Sequence, residues 1–194
     1  MIVVSMDDGQ IIARCLAGER EAFEMIVNKY QARVLSLAWS VLGNRAEAED
    51  TTQEAFIRAY VNLGDFDQAR GFKNWLYAIA YKRCLDRLKK EKIEKKYRSR
   101  IAEAMTQVSS RVEMEHSLEE SAVIGLLLKK LTVKERLALS LAMNEGYTAA
   151  EIAAVLHCAE STARVYVFSA KGKLRKWLAS PESILLVRFI PILD

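Results

Sequence analysis

Apolar residues at three- and four-residue steps dominate this chain and leave little room for anything but helices. Phe23, Ile26, Val27, Tyr30, Val34, Leu37, Ala38, Val41 and Leu42 form one such series, broken at Gly43-Asn44. A second series runs from Ala46 to Leu63, with Ala55, Phe56, Ala59, Tyr60 and Leu63 inward, and Gly64 stops it. A third predicts a helix over 72–90: Trp75, Leu76, Ile79, Ala80, Leu85 and Leu88 face inward, and cations line the outside. With a short helix over 8–16, these make a small helical bundle. The chain has 194 residues but only two prolines and eight glycines, too few turn formers for a sandwich or barrel. About half the residues are apolar, enough to bury a core.

The second half is punctuated differently. Residues 135–144 read as one short helix, and Gly146-Tyr147 turns the chain. Thr148 caps a helix over 149–156, with Glu151 completing a capping box. His157-Cys158-Ala159 is a tight turn before a longer helix over 160–178. Two short helices joined by a tight turn, the second longer and basic at its end, match a helix-turn-helix. Spacing alone also fits an ordinary helical array without any DNA role.

Charge is unevenly distributed. The net charge is only +4, with 29 basic and 25 acidic residues. Residues 1–64 hold 6 basic and 9 acidic residues, and 65–100 hold 12 and 5. Residues 101–125 hold 1 and 5, and 126–194 hold 10 and 6. Two basic blocks are thus separated by an acidic, Ser- and Glu-rich stretch. The expected architecture is all-α: two small helical domains, 1–91 and 124–179, joined by a flexible linker over 92–123 that is either extended or partly helical. An apolar tail, 180–194, follows; it either packs on the last domain or docks a partner.

Sites for small-molecule chemistry are not in evidence. Cys15, Cys84 and Cys158 are far apart, and His116 and His157 have no second ligand type at metal spacing. Three reduced thiols and no signal segment imply a cytoplasmic setting. The longest apolar run, 184–193, is interrupted and too short to span a membrane. No glycine-rich phosphate loop or hydrolase motif occurs, so neither cofactor, metal, catalytic residue nor small-molecule substrate is expected.

Specific residues carry a family likeness. Arg14-Cys15-Leu16-Ala17-Gly18-Glu19 precedes Glu21-Ala22-Phe23 and Tyr30. Ala48-Glu49-Asp50-Thr51-Thr52-Gln53-Glu54-Ala55-Phe56-Ile57-Arg58-Ala59-Tyr60 and Phe72-Lys73-Asn74-Trp75-Leu76-Tyr77-Ala78-Ile79-Ala80 follow, with Leu85-Asp86-Arg87-Leu88. Later come Leu131, Glu135-Arg136, Gly146-Tyr147, Glu151-Ile152-Ala153 and Ser161-Thr162-Ala163-Arg164. In this order they resemble a bacterial RNA polymerase sigma factor of the extracytoplasmic-function type, region 2 followed by region 4. The resemblance covers roughly 8–90 and 124–178, without room for the extra domains of a housekeeping sigma.

The resemblance implies a transcription-initiation factor with no catalytic residues. Its partners would be core RNA polymerase, promoter DNA and an anti-sigma factor. Asp50, Gln53, Glu54, Phe56 and Ile57 would dock on the coiled coil of the polymerase clamp; carboxylates and an amide beside an apolar side chain suit an Arg-rich helix. Phe66, Phe72, Lys73, Tyr77, Lys82, Arg83 and Arg87 would bind and help melt the −10 element, cations on phosphates and aromatics near bases. Ser161, Thr162, Arg164, Val165, Tyr166, Ser169 and Lys171 would read the −35 element in the major groove. The chain departs from the family at Tyr81-Lys82, where Arg-Asn is frequent, and at Tyr166 and Ser169, where arginines are common. Ala159 stands where a capping Ser is usual, and Gly172 weakens the helix. Fewer cations imply a weak −35 contact with a shallow salt slope. A sigma-like protein that mainly binds a partner, with degraded promoter recognition, is the alternative.

Overall fold

The computed structural model describes residues 6–67, 71–104 and 130–179. Seven α-helices appear among them: α1 Asp8–Leu16, α2 Ala22–Leu42, α3 Arg45–Val61, α4 Phe72–Ala104, α5 Val133–Asn144, α6 Ala149–Leu156 and α7 Glu160–Leu178. A single 3₁₀ turn, Leu63–Asp65, follows α3. The helical reading of the sequence is correct, and no strand occurs among the described residues.

Local chemistry fixes the helix starts. Asp7 and Gln10 form a capping box at α1, Thr132 and Glu135 one at α5, and Thr148 and Glu151 one at α6. Asn44 caps α3 through its side chain. Gly43, at φ +70°, ends α2 in the left-handed region, where a side chain would be strained. At α7 the capping residue is Ala159, which provides no side-chain acceptor.

One boundary differs from the sequence-based expectation. Instead of stopping near Lys90, α4 runs on to Ala104, so the first part of the supposed linker is helix. The physical reason lies in composition: Lys, Glu and Arg are strong helix formers, and neither Gly nor Pro interrupts this stretch. The rest of the proposed linker and the apolar tail lie outside the described residues.

Helices α1–α4 pack around Ile26, Val34, Ala38, Val41, Ala55 and Leu76, all essentially inaccessible. Helices α5–α7 pack around Leu137, Leu141, Ile152, Val155 and Ala163. The two cores are continuous, because α5 leans on α2 and α6 on α4. Burying these apolar faces, at roughly 25 cal/mol per Å², is what holds each bundle together.

Candidate nucleic-acid interface

The acidic face of α3 is presented as its spacing requires. Asp50, Gln53 and Glu54 are exposed, and Ile57 is 62% exposed beside them. Val61 extends this apolar edge by one more turn. Phe56 differs from its predicted role: it is buried in the core. It anchors α3 from beneath and offers no surface to a partner. Thr52 is also buried, its hydroxyl donating to the carbonyl of Ala48 at 2.7 Å.

The proposed −10 residues come together on α4 and the loop before it, but few are free. Phe66, Phe72 and Trp75 make an aromatic cluster with centroids 5.2–5.7 Å apart. Within it Phe72 is buried, while Phe66 and Trp75 are half-buried. Tyr77 is fully buried and stacks on Tyr147 of the second domain, centroids 5.9 Å apart and planes 22° apart. Burial pushes both phenols well above their usual range. The Lys73 ammonium pairs with Glu145 at 2.8 Å and sits 4.5 Å from the Tyr147 ring centroid. Arg83 pairs with Asp86 at 2.6 Å. Arg87 bonds Glu47 and lies 3.9 Å from Asp50, so the cation is held by carboxylates of α3. Lys82 alone of the predicted −10 cations is exposed with no ion pair among the described residues.

The contact across the domains is therefore specific. Besides the Tyr77–Tyr147 stack and the Lys73–Glu145 pair, Arg136 Nη1 donates to the Val41 carbonyl at 3.0 Å. Burial holds the Arg136 guanidinium below its ordinary value. A cleft of about 960 Å³ remains beside this contact, between Asn74, Trp75 and Ala78 of α4 and the α6–α7 turn.

The helix-turn-helix is built as the spacing predicts, with α6 and α7 joined at His157, whose φ is +50°. On α7 the residues Ser161, Arg164, Val165 and Lys171 are exposed. Arg164 also bonds Glu160 one turn back. Thr162 is half-buried. Tyr166 is half-buried against the core, with the Lys134 ammonium 5.8 Å from its ring centroid. Ser169 faces the protein rather than the solvent: its hydroxyl donates to Glu135 Oε1 at 2.6 Å.

Glu135 is the organising group of this domain and was missed as such in the sequence. It is only 5% exposed, yet charged. Lys173 Nζ reaches both carboxylate oxygens at 2.7 and 2.8 Å, and the Thr132 backbone N–H donates at 2.8 Å. Burial by itself would raise the Glu135 pKa. The bonds from Lys173, Ser169 and Thr132 outweigh it and hold the carboxyl down at about 2. The residue thus caps α5 and clamps α7 at once. The capping pattern Thr132-x-x-Glu135 was a usable signal, whereas Lys173 lies 38 residues away. Phe168 was missed as well. It is 82% exposed on the same face as Arg164 and Val165, a position that helical spacing from those two residues could have found.

Among the described residues no cluster of His, Cys, Asp and Glu could hold a metal ion, and no helix is long and apolar enough to cross a membrane.

Comparison with known proteins follows this division of the chain. Residues 26–93 match the sigma-70 region 2 family and residues 121–174 match sigma-70 region 4. The ECF RNA polymerase sigma factor SigW of Bacillus subtilis is 35% identical over 171 residues, 83% of this chain and 91% of the relative. The RNA polymerase sigma-H factor of Pseudomonas aeruginosa is 29% identical over 184 residues, 88% of this chain and 93% of the relative. Among solved structures, CnrH in complex with the cytosolic domain of CnrY superposes with a TM-score of 0.66 at 24% identity, covering 88% of this chain and 96% of that one.

Proposed function

The chain belongs to the sigma-70 family, as an extracytoplasmic-function RNA polymerase sigma factor, and from that premise we propose how its surfaces divide the task of promoter-directed initiation. The observation that carries the assignment is the exposed α3 face. Asp50, Gln53, Glu54 and Ile57 stand together on it, in the region 2 match and clear of the second domain. Carboxylates around an exposed aliphatic side chain suit a basic helical partner: charged groups set orientation and Ile57 supplies the desolvated contact. This is the surface for core RNA polymerase.

On α7 the face of Ser161, Arg164, Val165, Phe168 and Lys171 enters the major groove at the −35 element. Val165 and Phe168 suit thymine methyls, and Arg164 suits a guanine edge once it leaves Glu160. Ser169 and Tyr166 support this helix from behind and read no base. The proposed −10 surface on α4 lies against α6 and the turn before it, which carries Glu145 and Tyr147. Lys73 and Tyr77 serve DNA only after the second domain lifts away, so the arrangement is a closed form, while Phe72 stays packed in its own bundle.

A protein inhibitor is the natural partner of such a form. The solved structures of similar fold include CnrH with CnrY and, at 20% identity, RpoE with the anti-sigma factor NepR from Bartonella quintana. The proposed partner here is likewise an anti-sigma factor, acting in the cytoplasm.

Run-off transcription with core polymerase tests the reading. Promoter-specific transcripts that appear only with the chain, and vanish with Ile57→Asp, support it. Stable core binding without any specific transcript would favour a second reading, a regulator that binds partners and reads promoters poorly. The covered −10 surface and the few free cations on α7 are what favour that alternative.

A further inference from the structure

The cleft of about 960 Å³ beside the domain contact has a wall from each domain. Small apolar residues make its floor: Ala78 on α4, and Ala150 and Ala154 on α6. The half-buried Trp75 closes one side. Among the described residues its carboxylates are Glu151 and Glu160, and no Lys or Arg lines it. Each carboxylate keeps one oxygen open. Glu151 bonds Thr148 through Oε2 alone, and Glu160 bonds Arg164 through Oε1 alone. The bonds from Thr148 also hold the Glu151 carboxyl below its ordinary value, so it is charged at neutral pH. Both residues stand in the first turn of a helix. A full negative charge exceeds the roughly half positive charge of a helix start, so the cleft stays negative. The chain also holds a segment that needs such a place. Residues 184–193 are eight large apolar residues, Pro191 and a single cation, Arg188.

We propose that residues 184–193 dock in this cleft of their own chain, apolar side chains on the alanine floor and Arg188 against Glu151 and Glu160. Three observations carry it. Leaving eight large apolar side chains in water is unfavourable in proportion to their area, and an alanine-floored cleft gives them somewhere to go. The lengths agree. Glu160 lines the cleft and Leu178 ends α7, so the helix between them spans about 27 Å at 1.5 Å per residue. Ten residues of extended chain, 179–188, cover about 33 Å at 3.3 Å each, enough to return Arg188 to the carboxylates. The charges agree as well, one cation on the segment for a cleft with open carboxylate oxygens and no cation of its own. The exposed pair Val165 and Phe168 is a competing seat, but Arg164 and Lys171 on the same helix repel Arg188. A segment seated in the cleft touches both domains, so it favours the closed form over any open one. The proposal concerns the chain alone and stands apart from the promoter reading.

The test uses the full chain without DNA or polymerase, with N-ethylmaleimide as the probe. Cys158 lines the cleft and is half-buried, whereas Cys15 on α1 lies outside it and serves as the control. In the wild type Cys158 should react more slowly than Cys15, yet ahead of the buried Cys84. In Leu186→Asp/Phe189→Asp, Cys158 should react about 10-fold faster, with Cys15 unchanged and Cys84 still protected as proof of an intact fold. Arg188→Glu should speed Cys158 in the same way, and adding Glu160→Lys should slow it again by swapping the pair. In Val187→Cys/Cys15→Ser, a short bismaleimide should join the introduced thiol to Cys158 within one chain. Equal Cys158 rates in wild type and Leu186→Asp/Phe189→Asp overturn the proposal. A charge swap that restores nothing removes Arg188 from the cleft and overturns it too. So does a cross-link found only between two chains, which makes a second copy the occupant. None of these failures touches the promoter reading, since neither polymerase nor DNA is present.

Discussion

Replacing Glu135 by Gln should loosen α7 without changing any exposed side chain. The carboxylate is buried and accepts bonds from Lys173, Ser169 and the Thr132 backbone at 2.6–2.8 Å. Its pKa of about 2 lies well under the ordinary 4.5. At about 1.36 kcal/mol per unit, that difference corresponds to about 3 kcal/mol of charge-dependent stabilisation. The figure is a ceiling, since the Lys173 side chain is 42% exposed and water screens that partner. The expected loss at neutral pH is therefore about 2–3 kcal/mol. Because the folded-state pKa is depressed, the contribution is complete above about pH 4.5 and is lost as pH falls toward about 2. Urea unfolding of the full chain between pH 7 and pH 3, with amide exchange followed on α5 and α7, measures both aspects. The wild-type advantage should shrink on acidification, and exchange in the variant should speed up first on α7. A variant within 0.5 kcal/mol of wild type at pH 7, or a deficit that does not narrow with acid, would refute the clamp.

Other consequences are simpler to check. Lys73→Glu should part the domains by setting like charges together, raising the radius of gyration in solution scattering. Adding Glu145→Lys should restore it by swapping the pair, and a swap that leaves the domains apart would count against this contact. His157→Gly should stabilise the chain by about 0.5–1 kcal/mol in thermal melts, since glycine adopts the +50° φ without strain. Tyr81→Phe should be neutral or stabilising by about 1 kcal/mol, because the buried Tyr81 hydroxyl has no hydrogen-bond partner among the described residues. Burial pushes the Cys84 thiol up to about 12, so alkylation at pH 8 should modify Cys15 and Cys158 first and leave Cys84 intact until unfolding.

Much of the fold could be read directly from the residues because helix signals are local. Asp8–Leu16, Ala149–Leu156 and Glu160–Leu178 match the expected spans, and α5 begins two residues earlier than expected, at Val133. Capping boxes and left-handed stops act within four residues, inside the reach of a pattern. The end of α4 was misjudged because a run of charges reads equally as a solvated linker or as a helix made of good formers. The exposed α3 face was also legible, apart from Phe56, whose aromatic ring suits either a core or a contact.

By itself the sequence determined the helices, their two groupings and the family they match, since each depends on short-range periodicity or on residue order. Tertiary structure alone decided which side chains remain available. Arg87 turns to Glu47 across 40 residues, Ser169 to Glu135 across 34, and Arg136 to a carbonyl 95 residues away. Tyr77 and Lys73 are covered by Tyr147 and Glu145 of the other domain. A pattern of residue types shows that a cation or an aromatic ring is present. Whether it meets DNA or another part of its own chain depends on pairings between distant segments, which form only once both bundles have packed.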